Sequence, residues 1–335
     1  MPPTTLTYRP YHELGGEPHV VVDGSASEGT VLVLSHWPGT PAPRESLRDD
    51  LSAQMAFRYL DHDEHLHGDA RFVTNNHFDQ DGLVGVAALV DPEAAMARRA
   101  LLEDLAAAGD FGTYRHRAAA RASMVVSAAT DPDRSPFAPL PESYDERSAL
   151  LYDEMIGRLP DLVDDVEAHR AIWADEDAAL SESEAAIEGG TVTIVERPDA
   201  DLAVVTVSGT HRWSGHRFGG RRYDGVHPMA LHNATDMGAL LLVAGGSFRF
   251  TYRYESWVQL RSRTVRPRVD LAPLAGELGA ADSVSWESDP IDGLTPELGP
   301  VGRAGSDLAP DSVVEAIVRH LTTAPPAFDP FARPA

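Results

Sequence analysis

The chain has 335 residues, 43% of them hydrophobic, which is enough for two globular domains with separate cores. It contains no cysteine, so disulfides and thiolate metal sites are excluded. The net charge of −24 argues against duplex nucleic acid or an anionic membrane as a partner. No export signal and no apolar run long enough to cross a bilayer are visible, so we expect a cytoplasmic protein.

The first part of the sequence alternates between predicted strands and helices. Residues 30–35, TVLVLS, are a continuous apolar run typical of a buried parallel strand, and residues 51–59 predict an amphipathic helix. A second strand is predicted over residues 71–75, followed by helices over 83–90 and 93–108. This alternation indicates an α/β fold, with a parallel sheet covered by helices.

The rest of the chain divides by composition. Residues 1–142 form the predicted metal-binding α/β domain, and residues 143–189 are an acidic helical stretch that we interpret as a connector. Residues 190–325 contain further strands, one of them over 257–262, and form a second, smaller α/β domain that binds substrate. The tail, residues 326–335, is predicted to be loosely ordered.

The motif HFDQDG follows the predicted strand 71–75 and contains His77, Asp79 and Asp81. His36 ends the preceding predicted strand. Since ligands bind beyond the carboxyl ends of strands in an open parallel sheet, we expect these four side chains to share one edge. Carboxylate and imidazole ligands suit Mn²⁺, Mg²⁺ or Zn²⁺. The sequence therefore predicts a metal site there, with one or two ions.

Simpler interpretations of the same residues remain open. Asp79 or Asp81 could be a helix N-cap, and His77 a buried polar residue with one hydrogen bond. A calcium-binding EF-hand loop is excluded, because Ala88 stands where its glutamate is needed. Asp110 follows a predicted helix and is either a turn aspartate or a carboxylate that bridges two ions.

Positive charge is concentrated in residues 209–268, which contain ten arginines and three acidic residues. Because the arginine guanidinium fits phosphate and carboxylate groups, this basic island indicates an anionic ligand. Within it, THRWSGHRFGGRR could close over an anion as a glycine-rich loop. The alternatives are arginines on solvated strand faces and a flexible surface loop.

Two segments resemble the DHH phosphoesterase superfamily. HFDQDGLVGVAAL is similar to the first motif of that family, a His-x-Asp-x-Asp-Gly-type loop after a strand. Residues 244–279 resemble its C-terminal substrate domain, in which Ser-x-Arg-Ser precedes a short helix with the pattern Asp-Leu-x-x-Leu-Ala. The corresponding residues here are 260–263 and 270–275, and the order of the pieces matches across most of the chain.

The resemblance implies manganese as the preferred ion and assigns roles to the motif. His77 and Asp79 would hold one ion and Asp81 a second, Asp110 could bridge them, and His36 lies nearby. Asp81 and His77 would then be the catalytic residues. The implied substrate ligands are Arg261, Arg263, Arg212, Arg217 and His216.

The sequence supports two functions. The first is a metal-dependent phosphoesterase that acts on a small phosphate-bearing substrate, such as a phosphate ester, a nucleotide or a short oligonucleotide. The second is a non-catalytic anion- or metabolite-binding protein with one structural metal or none. The second is favoured by the lack of a clear counterpart to the Asp-His-His triplet that names the superfamily. The oligomeric state is left open, with a homodimer as one option.

Overall fold

The structure is a computed structural model. It describes residues 5–41, 43–62, 66–208, 216–218, 221–223, 225–302 and 305–332, with only the backbone of 216–218 and 221–223. The chain forms two compact units. The first unit comprises Met1–Ala179 and Gly215–Tyr223, and the second comprises Leu180–Ser214 and Asp224–Ala335.

The first unit is built on a parallel four-stranded sheet with the strand order β1-β4-β2-β3. Its strands are β1 (Thr7–Tyr8), β2 (His19–Val22), β3 (Thr30–Leu34) and β4 (Phe72–Thr74). The two predicted strands of this unit, β3 and β4, are confirmed, and β1 and β2 are additional. All three pairings are parallel, so the carboxyl ends of the strands lie at one edge.

Helices connect and cover these strands. In chain order they are α1 (Ser52–Leu60), α2 (Gln80–Val90), α3 (Pro92–Ala97), α4 (Arg99–Asp110), α5 (Arg117–Ala129), α6 (Tyr144–Met155), α7 (Leu159–Asp164) and α8 (Arg170–Glu188). Pro92 and Pro160 lie in the first turns of α3 and α7. Proline is tolerated there because the first backbone N–H groups of a helix have no partner within the helix.

Two helix boundaries near the motif differ from the sequence prediction. Helix α2 begins at Gln80, three residues before the predicted start, because the Asp79 side chain accepts a hydrogen bond from the Gly82 N–H and caps it. The predicted single helix over 93–108 is two helices. Asp110 is the last residue of the second, α4, and not part of a turn after it.

The remaining strands are β5 (Val192–Arg197), β6 (Leu202–Val207), β7 (His216–Phe218), β8 (Arg221–Tyr223), β9 (Ala239–Ala244), β10 (Ser247–Tyr252), β11 (Arg268–Val269), β12 (Trp286–Ser288), β13 (Glu297–Pro300) and β14 (Pro326–Phe328). The second unit contains a six-stranded sheet with the order β12-β13-β10-β9-β6-β5. Only the β6–β9 pair in it is parallel. The two sheets and their helices confirm the predicted α/β class with a second α/β domain.

The core of the second unit lies between its sheet and two helices. The helices that follow α8 are α9 (Pro228–Ala234), α10 (Ala272–Ala281) and α11 (Pro310–Thr323). Leu274 of α10 and Ile317 of α11 are fully buried against Leu241 and Phe250 of the central strands. This burial removes the apolar faces of both helices from water, which is the main favourable contribution to the stability of this unit.

Two predictions for the C-terminal half are wrong. The strand expected over residues 257–262 is absent: a short 3₁₀ turn, Tyr254–Ser256, precedes irregular backbone that reaches β11. Part of the expected loose tail is β14, which pairs with β11. Among the described residues, no helix is both long and apolar enough to span a membrane.

Candidate metal centre

Three neighbouring parallel strands each deliver one polar side chain to the same edge of the sheet. Asp23 directly follows β2, His36 follows β3, and His77 follows β4. Asp79, the N-cap of α2, and Asp81, in the first turn of α2, lie at the same edge. The structure therefore brings together the four residues that the sequence placed at the strand ends, and it adds Asp23.

The side chains form two overlapping groups of possible metal ligands. Asp23, His77 and Asp79 form the first group, and Asp23, His36 and Asp81 form the second. In each group the ligand atoms lie within 4.8 Å of one another. The His77 Nε2 atom is 2.8 Å from Asp79 Oδ2 and 3.2 Å from Asp23 Oδ2. Asp23 belongs to both groups, and its two carboxylate oxygens face different histidines.

Asp81 is fixed by the N-terminus of α1. Its Oδ2 accepts a hydrogen bond from the Ser52 N–H and its Oδ1 from the Ala53 N–H, both at 2.8 Å. These N–H groups have no acceptor within their own helix, so a carboxylate satisfies them and gains from the helix dipole.

Asp79 is confirmed as a helix cap, and its geometry leaves the metal-ligand interpretation open. Its Oδ1 accepts the 2.8 Å hydrogen bond from Gly82 that caps α2, while its Oδ2 lies against His77. The capping role therefore occupies only one oxygen. The other oxygen, Oδ2, contacts His77 Nε2, and the same nitrogen lies 3.2 Å from Asp23 Oδ2. One carboxylate can therefore cap the helix and still offer an oxygen to a metal ion.

His36 is completely buried, and its orientation is set by the backbone. Its Nδ1 lies 2.5 Å from the carbonyl oxygen of Asp50. A carbonyl can only accept, so Nδ1 donates and Nε2 presents its lone pair. Burial lowers the pKa of His36, which keeps the ring neutral. Nε2 lies 3.5 Å from oxygens of both Asp23 and Asp110.

Asp110 enters the site from the last turn of α4. A Cβ at the preceding residue, Gly109, would lie 2.4 Å from the Cβ of Gln80, so only glycine allows α4 to approach α2 this closely. The Asp110 Oδ2 atom is buried and has no hydrogen-bond partner among the described residues. Such an atom is costly in a protein interior unless a cation or donor meets it.

The electrostatics of the cluster show an excess of negative charge. Burial, followed by the charges of neighbouring aspartates, raises the pKa of Asp81 and Asp110 well above the ordinary value. Burial opposes protonation of His77, but Asp79 and Asp23 outweigh it and raise the pKa of that imidazole. Burial opposes ionisation of Asp23 as well, yet hydrogen bonding and attraction to His77 lower its pKa overall.

These observations fit a divalent cation. In a neutral His36, the Nε2 lone pair faces carboxylate oxygens, an arrangement that repels unless a proton on a carboxyl group or a metal ion lies between them. Within the described structure, the buried Asp110 Oδ2 has no hydrogen-bond partner, and the buried Asp23 Oδ2 lies 3.2 Å from the His77 ring. Oxygen and imidazole ligands suit Mn²⁺, Mg²⁺ and Zn²⁺. The residues present therefore match the chemistry of the predicted ions.

Asp23 was missed by the sequence analysis. It has a positive φ of 51°, a conformation that aspartate and asparagine tolerate better than most residues. A Cβ at the next residue, Gly24, would lie 2.3 Å from Asn76 Oδ1, so the loop after β2 fits closely against the loop after β4. The available signal was VVVDG, a short apolar run that ends in an aspartate and a glycine.

The centre is open on one side. The side chains of Asp79 and His77 are 31% and 16% exposed, whereas those of His36, Asp23 and Asp81 are at most 1% exposed. A ligand from solvent would therefore meet the group of His77 and Asp79 first.

The predicted substrate ligands lie in a different part of the chain from the candidate metal centre. Arg261 is exposed, and Arg263 lies 3.6 Å from the Glu255 carboxylate. Two other arginines of the basic island, Arg253 and Arg268, are buried and bind backbone carbonyl groups, so they have structural roles. Arg212 lies outside the described residues, as do the side chains of Arg217 and His216.

Comparison with known proteins gives a family but no function. The model of a family described as "Family of unknown function (DUF6687)" matches residues 4–331. No curated protein and no solved structure matches the chain.

Proposed function

We propose that this chain, which belongs to the DUF6687 family, is a metal-dependent hydrolase of phosphate esters. The observation that carries the proposal is the position of Asp23 in two ligand groups, one with His77 and Asp79 and one with His36 and Asp81. A carboxylate shared in this way is suited to bridge two divalent ions. Paired ions of this kind are used for displacement at phosphorus.

Divalent ions in these groups would supply Lewis-acid polarisation of a phosphoryl oxygen and activation of water. The first ion would be held by His77, Asp79 and Asp23, and the second by Asp23, His36 and Asp81. Asp110 would complete the second group, since its buried Oδ2 lies 3.5 Å from His36 Nε2. The preferred ion in this proposal is Mn²⁺, with Mg²⁺ and Zn²⁺ as the alternatives.

The contribution of the protein is orientation. The Ser52 and Ala53 N–H groups hold Asp81, the Asp50 carbonyl fixes the His36 ring, and Gly82 fixes Asp79. In the reaction, the oxygen of a water molecule joins phosphorus, the ester P–O bond breaks, and the leaving oxygen takes a proton that originates from the water. Groups held in place beforehand lower the reorganisation cost of this step.

The substrate is proposed to be small and anionic. A net charge of −24 disfavours long polyanions, and Arg261 and Arg263 in the second unit carry guanidinium groups of the kind that binds a single phosphate. Their role as phosphate ligands is a prediction from the sequence and is part of this proposal.

The proposal is tested with a matched pair of variants. Asp79 caps α2 and Asp91 caps α3, each through its carboxylate, and asparagine caps equally well. With Mn²⁺ present, Asp79→Asn should lose hydrolysis of phosphate mono- and diesters, and Asp91→Asn should retain it. If Asp79→Asn keeps the wild-type rate, the activity belongs to another site.

The second candidate is a binding protein without turnover. The missing counterpart of the Asp-His-His triplet favours it. In that case the wild type would bind phosphate-bearing ligands in a titration but would not hydrolyse monoesters, diesters or cyclic dinucleotides with Mn²⁺, Mg²⁺ or Zn²⁺. That result would replace the hydrolase proposal.

A further inference from the structure

Helix α6 places one tyrosine hydroxyl beside the metal-binding loop. The ring of Tyr152 packs between those of Tyr8 and Phe78, with centroid distances of 4.9 and 5.1 Å. Phe78 lies between His77 and Asp79 in the sequence, so this ring packing ties α6 to the loop. Tyr152 is completely buried, and the Asn75 side chain lies within hydrogen-bonding reach of its hydroxyl.

Asn75 approaches the same point from the end of β4. Its Oδ1 accepts a 3.1 Å hydrogen bond from the His77 N–H, which shapes the loop at the first metal-binding residue. Its Nδ2 is buried beside the Tyr152 hydroxyl, and Asn75 interacts with that hydroxyl by hydrogen bonding. A phenol and an amide are therefore buried side by side next to one loop, and the amide can donate to the phenol oxygen.

Gly82 shows where these donors meet. A Cβ on Gly82 would lie 2.2 Å from Asn75 Nδ2, 2.6 Å from the Tyr152 hydroxyl oxygen and 3.1 Å from Asp79 Oδ1. Three polar atoms from three elements thus surround a position that only glycine can occupy. Of the three, only the Asp79 carboxylate is restricted to accepting, so it is the acceptor available to the Tyr152 O–H while the phenol oxygen accepts from Asn75 Nδ2.

A buried donor without an acceptor costs about 1–3 kcal/mol, so the Tyr152 O–H needs such an acceptor. Hydrogen bonds from surrounding groups orient metal ligands and hold them in a fixed geometry. Asp79 is the most exposed of the ligands in the two metal-binding groups, with 31% of its side chain exposed. Its orientation therefore depends most on hydrogen bonds from neighbouring residues.

We propose that Tyr152, acting with Asn75, is a positioning residue that holds Asp79 and His77 in the geometry that binds the first ion. This inference rests on the proposed metal centre, and it extends it by giving the predicted helical connector a role at the site. Tyr152 belongs to the same compact unit as the centre. It supports the first ligand group but has no described contact with His36 or Asp110 of the second.

The test is a titration of the full-length, metal-free protein with Mn²⁺. Binding is measured by calorimetry and by the paramagnetic resonance signal of Mn²⁺. Tyr152→Phe keeps the ring packing and removes only the hydroxyl. It should weaken one binding step by about 10- to 100-fold, as is typical when a group that orients a metal ligand is lost. The step affected should be the one that Asp79→Asn removes, with the other step unchanged.

The control is Tyr8→Phe, which removes a hydroxyl from the same aromatic cluster but not from the Gly82 position. It should leave both binding steps unchanged. The melting temperature of the metal-free protein reports on folding. If Tyr152→Phe is folded, a merely structural role would weaken both steps together, whereas a positioning role weakens one. If Tyr152→Phe fails to fold, Asn75→Ala is the variant that is titrated.

The outcomes separate this inference from the proposed function. If the wild type binds two ions and the folded Tyr152→Phe protein binds both with wild-type affinity, the positioning role is overturned and the metal centre stands. Equal weakening of both steps also overturns it. If the wild type binds no Mn²⁺, the metal centre fails and the positioning role fails with it.

Discussion

At the scale of single residues, Asp23 has the largest role in the candidate centre because it alone belongs to both ligand groups. Its backbone has a φ of 51°, and its Oδ1 accepts a 2.8 Å hydrogen bond from the Ser52 hydroxyl. Asparagine tolerates the same backbone conformation and keeps an oxygen for Ser52. The negative charge of Asp23 can therefore be removed with little change in structure.

Asp23→Asn is expected to fold and to lose hydrolysis, because an amide cannot neutralise two ions. The loss should correspond to several kcal/mol in the barrier, on the order of a thousandfold in kcat/KM. Steady-state kinetics with Mn²⁺ and thermal melting measure the two effects. The control is Asp201→Asn in the second unit, where Asp201 also has a positive φ, of 49°. Full activity of Asp23→Asn would show that Asp23 is not a ligand.

Some residues of the candidate centre could be predicted from the sequence and others could not. The motif HFDQDG gave three residues of the candidate centre, because carboxylates and a histidine after an apolar strand form a recognisable pattern. Asp110 was placed near the site, but in a turn instead of the last turn of α4. Asp23 was missed because a single aspartate before a glycine is also the signature of an ordinary turn.

At the scale of elements, the site depends on close approach between helices and strands. Strand β2 contains only four residues and was not predicted, whereas β3 coincides with the apolar run TVLVLS and was predicted. A Cβ at Gly85 of α2 would lie 2.4 Å from a methyl carbon of Val22 in β2, so the helix that bears Asp81 packs tightly on the strand before Asp23. Such distances follow from tertiary packing and cannot be read from local sequence.

Gly109→Ala tests the approach of α4 to α2. The new methyl group would overlap the Cβ of Gln80, which is fixed to the backbone, so α4 must shift at the turn that bears Asp110. We expect a loss of about 1–3 kcal/mol in the free energy of unfolding and weaker Mn²⁺ binding. Urea unfolding and a metal titration measure these changes.

The matched control is Gly276→Ala in α10, where a Cβ meets no atom within 4 Å. Removing a glycine from a helix interior should stabilise this variant by about 0.5–1 kcal/mol and leave metal binding unchanged. Equal behaviour of the two variants would contradict the packing argument for Gly109.

At the scale of the whole molecule, an acidic protein concentrates four carboxylates in one site of its first unit. The α/β class and the presence of a second α/β domain followed from the alternation of patterns along the sequence, since they depend on many residues at once. The structural roles of Arg253 and Arg268 could not be predicted from the sequence, because a buried arginine and a ligand-binding arginine look alike there.

Metal binding should stabilise the protein more at high pH than at low pH. Asp81, Asp110 and His77 have raised pKa values in the folded, metal-free protein. The folded state therefore holds protons that the unfolded state releases, so these three groups lose their stabilising effect as the pH rises through their folded pKa values. Metal ions must displace the same protons, so their binding strengthens as the pH rises.

Thermal melting with EDTA and with excess Mn²⁺ at pH 5.5 and pH 8 measures this coupling. The increase in melting temperature on adding Mn²⁺ should be larger at pH 8. Asp79→Asn should show a much smaller increase at both pH values. An increase in the wild type that is independent of pH, or larger at pH 5.5, would contradict the account.

If Asp23 is shared by two divalent ions, anomalous diffraction from crystals grown with Mn²⁺ will locate both. Two anomalous peaks should flank the Asp23 carboxylate, one beside His77 and Asp79 and the other beside His36 and Asp81. The absence of peaks in this cluster at saturating Mn²⁺, or peaks that Asp23 does not contact, would contradict the proposed sharing.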